Sequence, residues 1–199
     1  MDCQLTVGAF KIRSVNNKVH DVLEVMSTYN LHILALSETW HENLEYVTIK
    51  RLRSLGLNVI EVARPIPEDI DANINFVNHL GLAVVTKPGV ITATLNMKLN
   101  ATTFAFLCFR ITVDGASSIL VYIYRPGLIK QSSVFFNGPL EILATFQLPV
   151  TITGDLNIHL QKREDVDAVR LGGVLNSFNL LQHVPSPTHD RGAYLMPSY

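Results

Sequence analysis

Two short stretches of this chain carry residue types that act on phosphates and on hard cations. In Thr153-Gly154-Asp155-Leu156-Asn157-Ile158-His159, an Asp and an Asn stand two apart just after the apolar run 148–152. An Asp at such a place takes or positions a proton, and an Asn orients a phosphate or a water. An earlier stretch has the same design: the apolar segment 31–36 delivers Ser37, Glu38, Thr39 and Trp40. Gly154 reads as a turn after its strand, so both acids fall at carboxyl ends of strands, the rim where ligands bind in α/β sheets. Two strands that each end in an acid predict a site for one hard divalent cation, which prefers oxygen ligands.

Each group also has a plainer reading. Glu38 reads equally as an exposed loop acid or half of a salt bridge, and Asp155 as the acceptor of an Asx turn closing its strand. Tyr124-Arg125-Pro126 closes another strand with a phenol and a guanidinium, both suited to phosphate oxygens and both common at strand ends. His189, in Pro187-Thr188-His189, and His159 read first as loop residues. Lys11, Arg13, Lys18, Lys50, Arg51 and Arg53 are able to grip phosphates, or simply form a solvated face.

The elements that must position these groups alternate along the chain. Strands are expected at 5–12, 32–37, 57–63, 82–86, 90–95, 102–112, 118–124 and 149–153. A helix capped by Asn16 or Asn17 runs to about Tyr29, with Val19, Val22, Leu23, Val25 and Met26 at helical spacing. A second helix, 43–55, has Leu44, Val47, Arg51 and Leu55 on one side, and Gly56 suits its end. Residues 64–78, with Pro65 and Pro67, read as a surface loop. A helix over 131–146 is interrupted at Gly138-Pro139, and the last helix covers 166–178. Helices flanking a largely buried mixed sheet system make this α/β or α+β, with two layers of strand.

A chain of 199 residues with net charge −1 fits one domain, spanning 1–199, and is no polycation. Nucleic acid would be met by a local basic surface. A mean hydropathy of +0.24 suits strands buried on both faces. No apolar run is long enough for a membrane span, and Met1-Asp2-Cys3-Gln4 shows no leader. Cys3 and Cys108 do not make a disulfide framework or a zinc site, so a reducing, intracellular setting is expected.

The order F-K-I-R-S, L-A-L-S-E-T-W, Y-R-P, T-G-D-L-N-I-H and S-P-T-H resembles the endonuclease/exonuclease/phosphatase superfamily. It is most similar to the apurinic-endonuclease-like endonuclease domain of LINE-type (non-LTR) retrotransposons, above all from Leu175 through His189. The resemblance spans nearly the whole chain, from about Leu5 to Gly192. It implies a four-layer α/β sandwich of two packed mixed sheets flanked by helices, nicking duplex DNA with Mg²⁺ or Mn²⁺. Glu38 would be the metal-binding carboxylate and Asp155 the acid that activates water or assists the leaving group. Asn157 would bond the phosphate, and Tyr124 would contact the scissile group. Arg13, Arg125, Thr188 and His189 would hold phosphate or DNA. No small-molecule cofactor or membrane is implied, and a DNA-nicking domain would act in the nucleus.

Two departures from the pattern bear on activity. The family's first motif carries an Asn where Lys11 stands. A Lys offers no acceptor and repels a divalent cation; it would hold a phosphate, or take the metal's position in its absence. The family also continues through G-x-x-L-D to a terminal S-D-H motif. Here the residues after Gly192 are Ala193-Tyr194-Leu195-Met196-Pro197-Ser198-Tyr199. The expectation is a C-terminally truncated domain, lacking its last strands and impaired in cleavage. The alternatives are an inactive nucleic-acid-binding remnant and, less favoured by the S-P-T-H region, a phosphatase of the same superfamily.

Overall fold

The structure, a computed structural model, describes residues 5–41, 46–63, 81–97, 104–125, 137–158 and 164–183. The chain divides into two compact units, Met1–Ile91 and Thr92–Tyr199.

The first unit runs β1 (Val7–Lys11), α1 (Val19–Thr28), β2 (Ile33–Ser37), α2 (Val47–Ser54), β3 (Asn58–Val62) and β4 (Leu82–Thr86). Its sheet has the order β1-β2-β4-β3. β1 and β2 are parallel, joined by the crossover helix α1, whereas β4 runs antiparallel to both its neighbours. β2 and β4 are buried at every position, as their unbroken apolar sequence requires. The core gathers Val19, Val22 and Met26 of α1, Ile49 and Leu52 of α2, and Leu34, Leu36, Ala83 and Val85 of the sheet.

The second unit's sheet has the order β5-β6-β7-β8: β5 (Ile91–Thr94), β6 (Ala105–Val113), β7 (Ala116–Tyr124) and β8 (Val150–Asp155). β6 and β7 form a long hairpin closed by Asp114-Gly115, both at positive φ (50° and 83°), the signature of a tight type I′-like connection. β7 and β8 are parallel. The helices α3 (Asn137–Leu143) and α4 (Val166–Ser177) contribute Leu140, Leu143, Ala168, Leu171 and Leu175 to a core with Ile119, Val121 and Ile123. Asp165 caps α4, its carboxylate accepting from the amides of Asp167 and Ala168. Among the described residues no helix is long and apolar enough to cross a membrane.

Two mixed sheets with helices give the expected α/β class, and three local expectations are corrected. Asn16 and Asn17 do not cap α1; Lys18 precedes it, and Asn17 sits in the left-handed region at φ 56°. α2 buries Thr48, Ile49 and Leu52, while Val47 and Leu55, expected inside, are exposed. Helix α3 covers 137–143 of the expected 131–146, and the residues just before Gly138-Pro139 lie outside the described ones. Gly154 lies inside β8 instead of forming a turn after it. The expected loop 64–78, Leu44 and the chain after residue 183 lie outside the described residues.

Candidate functional site

Among the described residues each unit contains a parallel strand pair, β1 with β2 and β7 with β8, and the carboxyl ends of these pairs carry the chemistry-bearing residues. In the first unit β1 and β2 are paired so that Lys11 lies opposite Ser37. The ladder continues past both strands: Ile12 N–H donates to the Ser37 carbonyl at 3.0 Å, Ser14 N–H to that of Glu38 at 2.7 Å, and Val15 N–H to that of Thr39 at 2.9 Å. Arg13, Ser14, Glu38 and Trp40 all have φ between 50° and 78°. Left-handed conformations are costly for such residues and cluster at functional sites, where surrounding bonds enforce them. Glu38 thus leaves its strand in a clamped backbone. Its Oε1 lies 2.7 Å from Lys11 Nζ, with the two side chains 12% and 32% exposed. The salt-bridge reading of Glu38 is observed. Arg13, two residues after Lys11 in sequence, is exposed.

Behind this rim lies a buried polar chain that sequence reasoning missed. Thr39 Oγ1 and His41 Nδ1 are 2.6 Å apart. The other ring nitrogen, Nε2, is 3.2 Å from Glu61 Oε2, close enough for an ion pair but not aligned as a hydrogen bond. Arg53 completes the chain, donating to Glu61 Oε1 at 2.9 Å and to the Val59 carbonyl at 3.0 Å. Burial lowers the pKa of His41. Burial also raises that of Glu61, and the Arg53 guanidinium partly offsets this. One sequence signal was available: Glu61 is an acid inside the apolar strand candidate 57–63.

In the second unit the parallel register places Tyr124 opposite Asp155. Gly154 permits this. Its φ is +144°, and a Cβ there would fall 1.8 Å from the Ile123 carbonyl oxygen. Beyond the ladder Arg125 N–H donates to the Asp155 carbonyl at 2.8 Å. Asp155 Oδ1 accepts the Asn157 amide N–H at 3.0 Å, so the Asx turn is present as well. Asn157 (φ 48°) sends its side-chain amide to the Arg125 carbonyl at 2.5 Å. The guanidinium of Arg125 is buried; it donates to the Leu156 carbonyl at 3.2 Å and lies 3.7 Å from Asp167 Oδ2. Tyr124, Arg125, Asp155 and Asn157 therefore share one strand-end cluster. Thr188, His189 and His159 lie outside the described residues.

A divalent cation fits the Glu38 carboxylate poorly. An ammonium already contacts it, and among the described residues no group of three or more His, Cys, Asp or Glu stands together as a ligand set. Such ions ordinarily take about six oxygen ligands.

No family model matches the sequence, and no curated protein matches it. Solved structures do match. The chain is similar to the endonuclease domain of TRAS1, a telomere-specific non-LTR retrotransposon, with TM-score 0.68 and 13% identity over 98% of this chain and 83% of that one. It is also similar to an AP endonuclease from Archaeoglobus fulgidus, with TM-score 0.61 and 14% identity over 98% and 85%. A third likeness is to D. rerio TDP2 complexed with single strand DNA product, with TM-score 0.55 and 12% identity over 99% and 82%. These neighbours belong to the endonuclease/exonuclease/phosphatase superfamily, and the fold of this chain is the fold they share.

Proposed function

We propose, from a fold shared with the endonuclease/exonuclease/phosphatase superfamily, that this chain is a nuclease-type domain of retrotransposon ancestry that engages DNA phosphodiesters, with impaired cleavage. One observation carries the reading: Tyr124, Asp155 and Asn157 stand together at the carboxyl ends of the parallel pair β7 and β8. On this reading the Asp155 carboxylate orients or deprotonates a water for attack on phosphorus. The amide of Asn157 and the phenol of Tyr124 are donors suited to the non-bridging oxygens, on which charge builds as the bond breaks. Arg13, Thr188 and His189 are further DNA contacts on the resemblance alone. Arg125 holds this cluster from within. The sequence motifs support retrotransposon ancestry, with which the likeness to TRAS1 accords, and a domain that nicks DNA would act in the nucleus. Impairment rests on Lys11 at the carboxylate that the resemblance assigns to Mg²⁺ or Mn²⁺.

The test is conversion of supercoiled plasmid to open circles by the purified protein, with Mg²⁺, with EDTA and as Asp155→Ala. Slow nicking lost in the Asp155→Ala variant supports the reading. A folded protein that binds duplex DNA without nicking it would be the inactive remnant. One that neither binds nor nicks would sink both.

A further inference from the structure

The contact between Lys11 and Glu38 is built by the sheet, not by chance meeting of two surface side chains. Parallel pairing sets Lys11 opposite Ser37, the residue just before Glu38. The main-chain bonds from Ile12 to Ser37 and from Ser14 to Glu38 lock the two strand ends on either side of the contact. Glu38 is held at φ 55°, which fixes where its Cβ points. The resulting separation, 2.7 Å, is that of a charge-assisted hydrogen bond. A carboxylate only 12% exposed needs a countercharge, and this one is supplied by the chain itself.

Resting on the nuclease reading above, we propose that the Lys11 ammonium takes the place of the divalent cation at Glu38, so that the protein loads no metal at this carboxylate. A lysine offers donors and no lone pair, so it cannot join an ion's ligand shell. A divalent ion reaching Glu38 must first displace an ammonium whose effective concentration is set by a short tether, and then remain beside its positive charge. The substitution also changes the charge of the rim. Glu38 with a divalent ion sums to +1, whereas Glu38 with Lys11 sums to zero. The site is therefore less attractive to an incoming phosphate and lacks the Lewis acid that polarises it. DNA binding by this chain is accordingly independent of Mg²⁺, and Lys11→Asn opens the carboxylate to metal.

The chain's single tryptophan, Trp40, lies two residues from Glu38, so Tb³⁺ bound at that carboxylate will emit on tryptophan excitation. The experiment titrates Tb³⁺ into the parent protein, Lys11→Asn, Lys11→Met and Lys11→Asn combined with Glu38→Gln, each shown to be folded by circular dichroism. The parent should give no emission that depends on Glu38. Lys11→Asn should bind at least about tenfold more tightly, the effect of removing one nearby unit charge from a partly screened site. Adding Glu38→Gln should abolish the gain. If Lys11→Asn does not fold, Lys11→Met, which keeps the stem and removes the charge, should show the same gain. Parent protein that binds Tb³⁺ through Glu38 as tightly as the Lys11 variants would overturn the proposal, as would folded variants that gain nothing. Duplex oligonucleotide binding is read separately with Mg²⁺ and in EDTA: no binding in either would defeat the nuclease reading and leave the metal result standing, whereas binding that requires Mg²⁺ would count against the proposal.

Discussion

The side-chain amide of Asn157 donates to the main-chain carbonyl of Arg125 at 2.5 Å, tying the loop that leaves β8 to the end of β7. Arg125 returns the tie, its own amide donating to the Asp155 carbonyl and its guanidinium to that of Leu156. Asp155 and Asn157 are thus held by the residue that follows Tyr124, and the cluster is one rigid strand end.

Asn157 contributes both a bond and a tolerated left-handed backbone. Asn157→Ala loses both and should lower stability by about 1–3 kcal/mol in urea unfolding. Asn157→Gly keeps the backbone freedom and should recover part of the loss. Equal losses in the two variants would show that backbone strain is not part of the design.

Gly154 is the position at which β8 tolerates no side chain. With a Cβ falling 1.8 Å from the Ile123 carbonyl oxygen and φ at +144°, Gly154→Ala should cost at least about 3 kcal/mol, or prevent folding. Thermal unfolding of the variant decides it. A loss below about 1 kcal/mol would mean that β7 and β8 do not approach this closely.

The buried histidine gives acid sensitivity. Burial lowers the pKa of His41 below 6.5, so at pH values below 6.5 the unfolded chain takes up a proton that the folded one resists. Its contribution is complete above pH 6.5 and is lost as pH falls toward the folded pKa. Glu61 acts in the opposite sense: its raised pKa lets the folded state bind a proton before the unfolded one, which relieves burial of its charge on acidification. Urea midpoints between pH 7.5 and 5 should therefore fall less steeply in His41→Gln than in the parent. An unchanged slope would place the acid sensitivity elsewhere.

Cys108 lies buried in β6, and burial pushes its thiol up to about 11. The thiolate is the reactive form. In a Cys3→Ser background, iodoacetamide at pH 8 should leave the native protein unlabelled and modify it fully in urea. Rapid labelling of the folded protein would show that β6 opens.

What could be read along the chain was whatever depends on near neighbours. The apolar spacing of Val19, Val22 and Met26 located α1 and its buried face, and the unbroken run 82–86 matched β4 residue for residue. The order of short motifs, T-G-D-L-N above all, points to the fold that the structure has, and puts Asp155 and Asn157 forward as candidates for its chemistry. Local patterns also misled. Val47, Arg51 and Leu55 recur at helical spacing on one side of α2, yet the buried side is that of Thr48, Ile49 and Leu52. Gly154 carried the right identity with the wrong reason: it is required by a neighbouring strand, not by a turn.

Sequence alone determined the class of the fold, most of its elements and the residue types available for chemistry, because periodicity and strand-end composition act over a few residues. Tertiary structure decided which of those residues meet. Parallel register put Tyr124 beside Asp155 and brought Lys11 within 2.7 Å of Glu38. The fold also brought His41, four residues past the end of β2, to Glu61 of β3, 20 positions away by residue number. Partners of that kind are chosen by sheet pairing and by the cost of leaving a buried charge alone. Neither is written in the spacing of residues along the chain.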